Sequence, residues 1–198
     1  MTESFDTFAF EDADVGVRFE IDARFAAGPR VEPAVTTAQA GAPRPIAEVR
    51  TAYLTAALGA DRHPVLSVSA VAVEYEMTRE KLQGDLALHN ERGAQIAAEK
   101  GWTLIRPWEL AELGGSLAMR CEYVVPPPAR LREHGEEGEL ELPVTPLHLQ
   151  SWIAYVGRWT YQVVLSSDSD RHLDNDRALM ETVTRTFEFI AAAPAAGA

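Results

Sequence analysis

The chain has 198 residues, 46% of them hydrophobic and 24% charged, so one domain with a substantial core is expected and wholesale disorder is excluded. A formal net charge of −12 repels nucleic-acid phosphates and anionic membrane surfaces, and weakly favours a basic partner. The single cysteine, Cys121, excludes an intramolecular disulfide and a thiolate metal cluster.

The acidic start, with Glu3 and Asp6, lacks the basic residues and apolar run of a signal peptide, and no stretch has membrane-spanning length. The expectation is a cytoplasmic protein without membrane insertion. Usage rich in Ala, Arg and Pro points to a bacterium with a GC-rich genome. Residues 1–13 carry Phe5, Phe8 and Phe10 among acids and read as a loose N-terminal arm. Val15, Val17, Phe19 and Ile21 alternate with polar residues, the period of a half-buried strand. Residues 28–45 read as loop. Over 45–58 a stripe of Ile46, Val49, Tyr53 and Ala57, with Pro45 at the start and Gly59 past the end, predicts a helix. Residues 65–76 predict a central strand covered on both faces.

Thr78 caps a predicted helix over 79–100, stapled by Met77 and Leu82 and closed by Gly101. Leu82, Leu86, His89, Gly93 and Ile96 share one face of it. Close approach to a sheet would explain Gly93, whereas Gly84 has no evident reason. Residues 102–106 predict a short strand that Pro107 breaks, and residues 112–115 a turn. Leu117, Met119, Cys121, Tyr123 and Val125 then alternate with Ala118, Arg120 and Glu122, a second half-buried strand with the first set inward. Pro126, Pro127 and Pro128 stop it, and residues 133–139 form a flexible acidic excursion. The most informative stretch is a hairpin of 147–156 and 159–166, closed by Gly157-Arg158, in which Trp159, Tyr161, Val163 and Leu165 alternate with Thr160 and Gln162. Asp174 or Asp176 caps a last helix reaching about Ile190, with Leu179, Val183, Phe187 and Ile190 in one stripe. The expected organisation is an N-terminal arm (1–13), a single α+β domain (14–190) and a disordered tail (191–198). Its largely antiparallel sheet is covered by two or three helices.

This order of elements resembles the Mog1/PsbP-like α/β/α sandwich, a group with LpqN- and DcrB-type bacterial members. The matching parts are the long helix 79–100, the strand entry Gly114-Gly115-Ser116-Leu117-Ala118, the strand at Trp159-Thr160-Tyr161, and the terminal helix with Thr186-Phe187-Glu188-Phe189. The resemblance implies a binding protein without catalysis and carries over no functional residue, because the fold hosts several unrelated roles.

The residues themselves offer little chemistry. Asp168, Asp170, Asp174 and Asp176 are dense in oxygen ligands, but the EF-hand pattern fails at Leu173 and Leu179, so no metal site is assigned. None of the five histidines has zinc-site spacing, and His89 reads as a packed side chain. Cys121 reads as a buried, inert thiol. No nucleophile elbow, Walker loop or dinucleotide fingerprint occurs, so no catalytic residue and no cofactor are assigned. The reading leans against an enzyme and towards a protein-interaction module: an adaptor, accessory factor or chaperone. Its partner would be a protein or peptide, basic or amphipathic, with a homodimer left open and nucleic acid excluded. Trp108, Trp152, Tyr155 and Trp159 are the expected partner-binding residues. The alternative is a small-molecule-binding protein or small enzyme with a pocket between sheet and helix, where His89, Tyr123 and Asp168 converge. The first reading leans on one inference: buried apolar stripes account for nearly every distinctive side chain, leaving too few polar groups over to run chemistry.

Overall fold

A computed structural model of the chain describes residues 6–28, 49–58, 63–73, 76–126, 132–135, 138–141, 146–167 and 173–190. In chain order these hold β1 (Thr7–Asp12), β2 (Val17–Asp22), β3 (Ala26–Ala27), β4 (Val49–Thr55), β5 (Val65–Ala72), α1 (Arg79–Lys100), β6 (Thr103–Leu113), β7 (Ser116–Val125), β8 (Arg132–Gly135), β9 (Gly138–Glu141), β10 (Leu147–Val156), β11 (Trp159–Ser167), α2 (Leu173–Thr186) and β12 (Glu188–Phe189). Seven strands form one antiparallel sheet in the order β3-β4-β5-β11-β10-β7-β6. The predicted hairpin is its middle, with Tyr155 opposite Thr160 and Val156 opposite Trp159 across the Gly157-Arg158 turn. A smaller sheet, β1-β2-β12, includes Thr7–Asp12 from the segment read as an arm. β8 and β9 pair with each other inside the acidic segment read as a flexible excursion.

The sheet has two differently covered faces. On the first, Leu54, Leu66, Val68, Val163, Leu165, Ala154 and Ala118 pack against Val17, Phe19 and Ile21 of β2 and Leu179, Met180 and Val183 of α2. An aromatic chain stitches these layers: Phe10 to Phe19 at 5.1 Å, Phe19 to Phe187 at 5.4 Å, Phe187 to Phe189 at 5.2 Å, and Phe189 to Tyr161 at 4.7 Å. On the second face, α1 lies over the β6–β7 end. Thr78 Oγ1 accepts the Lys81 N–H at 3.2 Å, and Gly101 ends the helix in the left-handed conformation, φ 68°. At Gly93 α1 lies close against the sheet: a Cβ there would sit 3.0 Å from the Tyr123 hydroxyl. Two helices on a largely antiparallel sheet make the expected α+β class.

Five local expectations are corrected. Residues 49–55, read as part of a helix, are strand β4, with Ala52 and Leu54 buried and Thr51 and Tyr53 half-buried. β-Branched and aromatic residues at Val49, Thr51, Tyr53 and Thr55 favour the extended form once β5 offers a pairing edge; residues 45–48 and 59 lie outside the described residues. Pro107 does not end β6. It sits in an edge strand at a register shift between Arg106 and Glu109, where its missing N–H breaks no ladder. β5 is fully buried on one face only, its other face carrying half-buried Ser67 and Ser69. β7 is the reverse: read as half-buried, it buries Ala118 and Glu122 on one side and Met119 and Cys121 on the other. The last helix ends at Thr186, and Asp174 and Asp176 lie inside its first turn.

Candidate functional site

On the second face, α1 does not close down over the sheet. A cavity of about 390 Å³ lies between them, bounded by Gly93 and Ile96 of α1, Trp108 of β6, Tyr123 of β7, Leu149 of β10 and Val164 of β11. Trp102 and His89 also reach it. The helix cannot settle deeper because Tyr123 already touches Gly93. Trp108 is held firmly: the Asn90 side chain donates to its carbonyl oxygen at 2.9 Å and accepts its N–H at 2.7 Å. The β6 register shift leaves that N–H and carbonyl available to the helix. Trp102 meets Tyr123 edge-on at 6.0 Å, and His89 lies 6.2 Å from Trp108. Ile96 forms the lip, 41% exposed.

Four ionisable side chains line this groove: His89, Arg92, Cys121 and Tyr123. Burial pushes the Cys121 thiol up to about 12, despite its hydrogen bond with Tyr123. Burial likewise raises the Tyr123 phenol to about 12, with Cys121 adding to the shift and the Trp108 hydrogen bond opposing it. Both stay protonated near neutral pH, so the groove offers no thiolate and no phenolate.

On the first face a second constellation, of buried ionisable side chains that the sequence reading did not expect, lies under α2. His148 Nε2 lies 2.6 Å from Glu122 Oε1, and His148 Nδ1 lies 3.4 Å from Asp176 Oδ2. All three residues are at least 97% buried. Arg177 donates through Nε to the same Glu122 oxygen at 2.9 Å and reaches Asp174 at 3.4 Å. The strand ladder makes this possible: His148 of β10 faces Val124 of β7, two register positions from the Gln150–Glu122 pair and so on the same face of the sheet. Among the described residues, no group of three His, Cys, Asp or Glu is arranged to hold a metal ion.

The four expected partner-binding residues do not form one site. Trp108 lines the groove. Trp152 stands on the opposite face under Arg120, whose guanidinium carbon is 5.2 Å from the ring centre. Trp159 shares that face, beneath Arg50 at 5.5 Å, and Tyr155 is half-buried on the groove side of β10. His89 and Tyr123 do meet at the groove, while Asp168 lies outside the described residues. Sequence reading missed the groove's Ile96, Leu149 and Val164 as a set, although apolar residues on both faces of β10 and β11 signal a two-sided strand pair. It also missed His148, Glu122, Asp176 and Arg177.

No protein-family model matches the chain, and no curated protein matches it. Among solved structures the chain is similar to the cyanobacterial PsbP (CyanoP) of Synechocystis, with 16% identity over 94% of both chains and a TM-score of 0.55. LpqN of Mycobacterium tuberculosis, described as involved in cell envelope biogenesis, aligns with 12% identity over 93% of this chain and 91% of that one, at a TM-score of 0.49. The architecture is Mog1/PsbP-like.

Proposed function

We propose that this chain is a non-catalytic binding protein whose groove between α1 and the sheet takes an apolar side chain of a protein or peptide partner. The observation that carries this reading is the groove itself: about 390 Å³, lined mainly by aromatic and aliphatic side chains, with Trp108 fixed at its wall and Ile96 exposed at its lip. Its cysteine and tyrosine are held neutral, so neither supplies an anionic nucleophile at neutral pH. The partner segment is amphipathic and basic. The groove supplies its apolar anchor, and the net charge of −12 steers the basic flank. The steering belongs to the whole molecule, since α1 carries four acidic and four basic residues.

A second reading has its own support, because the same volume suits a small apolar molecule. One substitution tests both. Ile96→Asp puts a charge on the lip, and at an exposed helical site it shifts stability by about 0.5 kcal/mol or less. Proteins captured on immobilised wild type and lost on Ile96→Asp support the partner reading. A discrete added mass in native mass spectrometry, lost in the same variant, supports the small-molecule reading instead. Identical capture by both proteins, with no added mass, rejects the groove as a binding site.

A further inference from the structure

The first face holds a second cleft, separate from the groove, between α2 and the strands β6, β7 and β10. It encloses about 270 Å³ and is lined by Arg106, Arg120, Gln150, Trp152, Arg177 and Thr184, among others. What distinguishes it is an excess of hydrogen-bond donors without acceptors. The Gln150 side chain is only 8% exposed, and its Nε2 has no hydrogen-bond partner. A buried amide donor left unpaired is costly and uncommon. Arg120 donates through Nε to Glu109 at 2.6 Å, and its two terminal nitrogens make no hydrogen bond among the described residues. Among the described residues, Arg106 makes a 3.6 Å ion-pair approach to the same Glu109 carboxylate. Arg177 is held in place from behind by Glu122, which His148 in turn braces.

We propose that this cleft binds a small molecule through an oxyanion, a carboxylate or a phosphate group. Arg106, Arg120 and the Gln150 amide supply the donors. Guanidinium groups match both oxyanions by presenting paired N–H groups. Trp152 forms a flat wall beside the anion, and Arg177 adds positive charge at the α2 side. Glu109 is the built-in competitor: it lies outside the cleft lining, holds Arg120 through Nε and draws Arg106 through one terminal nitrogen. Glu122 and Glu181 also border the cleft, so the ligand is anionic at one end rather than throughout.

The test is thermal unfolding in inorganic phosphate and, separately, in succinate, at constant ionic strength balanced with chloride. A saturable rise in Tm of about 5 °C or more is expected for at least one probe at about a hundredfold above its Kd. The anion that saturates identifies the oxyanion class. Gln150→Leu keeps or raises the Tm without anion and loses the shift. Arg120→Gln weakens binding about tenfold or more. Glu109→Gln frees both arginines and tightens binding severalfold, a change that a purely structural role would not give. Ile96→Asp, on the other face, leaves the shift unchanged. No saturable shift with either anion overturns the proposal. So does an equal shift in Gln150→Leu and Arg120→Gln, or binding that Glu109→Gln leaves unchanged or weaker.

Discussion

His148 is 1% exposed with a carboxylate at each ring nitrogen, so removing the ring leaves buried acceptors short of donors. Breaking a buried charged network typically costs about 3–5 kcal/mol. His148→Ala is therefore expected to lower the unfolding free energy by about 3 kcal/mol or more, measured by urea denaturation. Cys121 gives a different residue-level prediction. Its thiol is raised from the usual 9.0 to about 12 by burial, so the folded protein keeps this proton where the unfolded chain releases it. The contribution to stability is complete below pH 9.0 and is lost as the pH rises towards about 12. The alkaline limb of stability against pH should be shallower in Cys121→Ala than in the wild type. Thiol reagents at neutral pH should label the protein only on unfolding. The buried position of Cys121 was legible from its alternation with Met119 and Tyr123. Glu122 was not, because the same alternation assigned it outward. Its partner His148 is 26 residues away and is brought near by the pairing of β7 with β10, while Asp176 meets the other side of the His148 ring from α2, a further 28 residues along the chain.

At the scale of elements, α1 was legible at both ends because its signals are local: Thr78 as cap, Gly101 as terminator. Gly84 within it meets nothing within 4 Å of an added Cβ, whereas at Gly93 the same atom would press on the Tyr123 hydroxyl. Gly84→Ala should stabilise by about 0.5–1 kcal/mol through helix propensity alone, read as a raised urea midpoint. Gly93→Ala should gain less than this or lose stability. It should also shift the fluorescence of Trp108, whose indole would lie 3.8 Å from the added methyl group. β4 was misread because Val49 and Tyr53 satisfy a helical stripe as well as a strand face. The choice is made by β5, a neighbour in space that no local spacing reveals.

Across the whole molecule, the antiparallel sheet with helices on both sides was legible from the strand periodicities, while the smaller sheet was not. Its strands β2 and β12 pair Val17 with Phe189 from opposite ends of the chain, a contact without local signature. Phe19 links that sheet to the main core through Phe10 and Phe187. Phe19→Ala should cost about 3–5 kcal/mol in chemical denaturation. The two proposed binding sites lie on opposite faces: an apolar groove beside α1 and a donor-rich cleft beside α2. The groove is the central claim. A photoreactive benzoyl-phenylalanine at Ile96, compared with one at Leu88, which is 48% exposed and does not line the groove, tests it most directly. The account predicts a discrete protein adduct from position 96 alone, mapping by mass spectrometry to a partner peptide with an apolar residue flanked by basic ones. Equal adducts from both positions, or none from position 96, would contradict it.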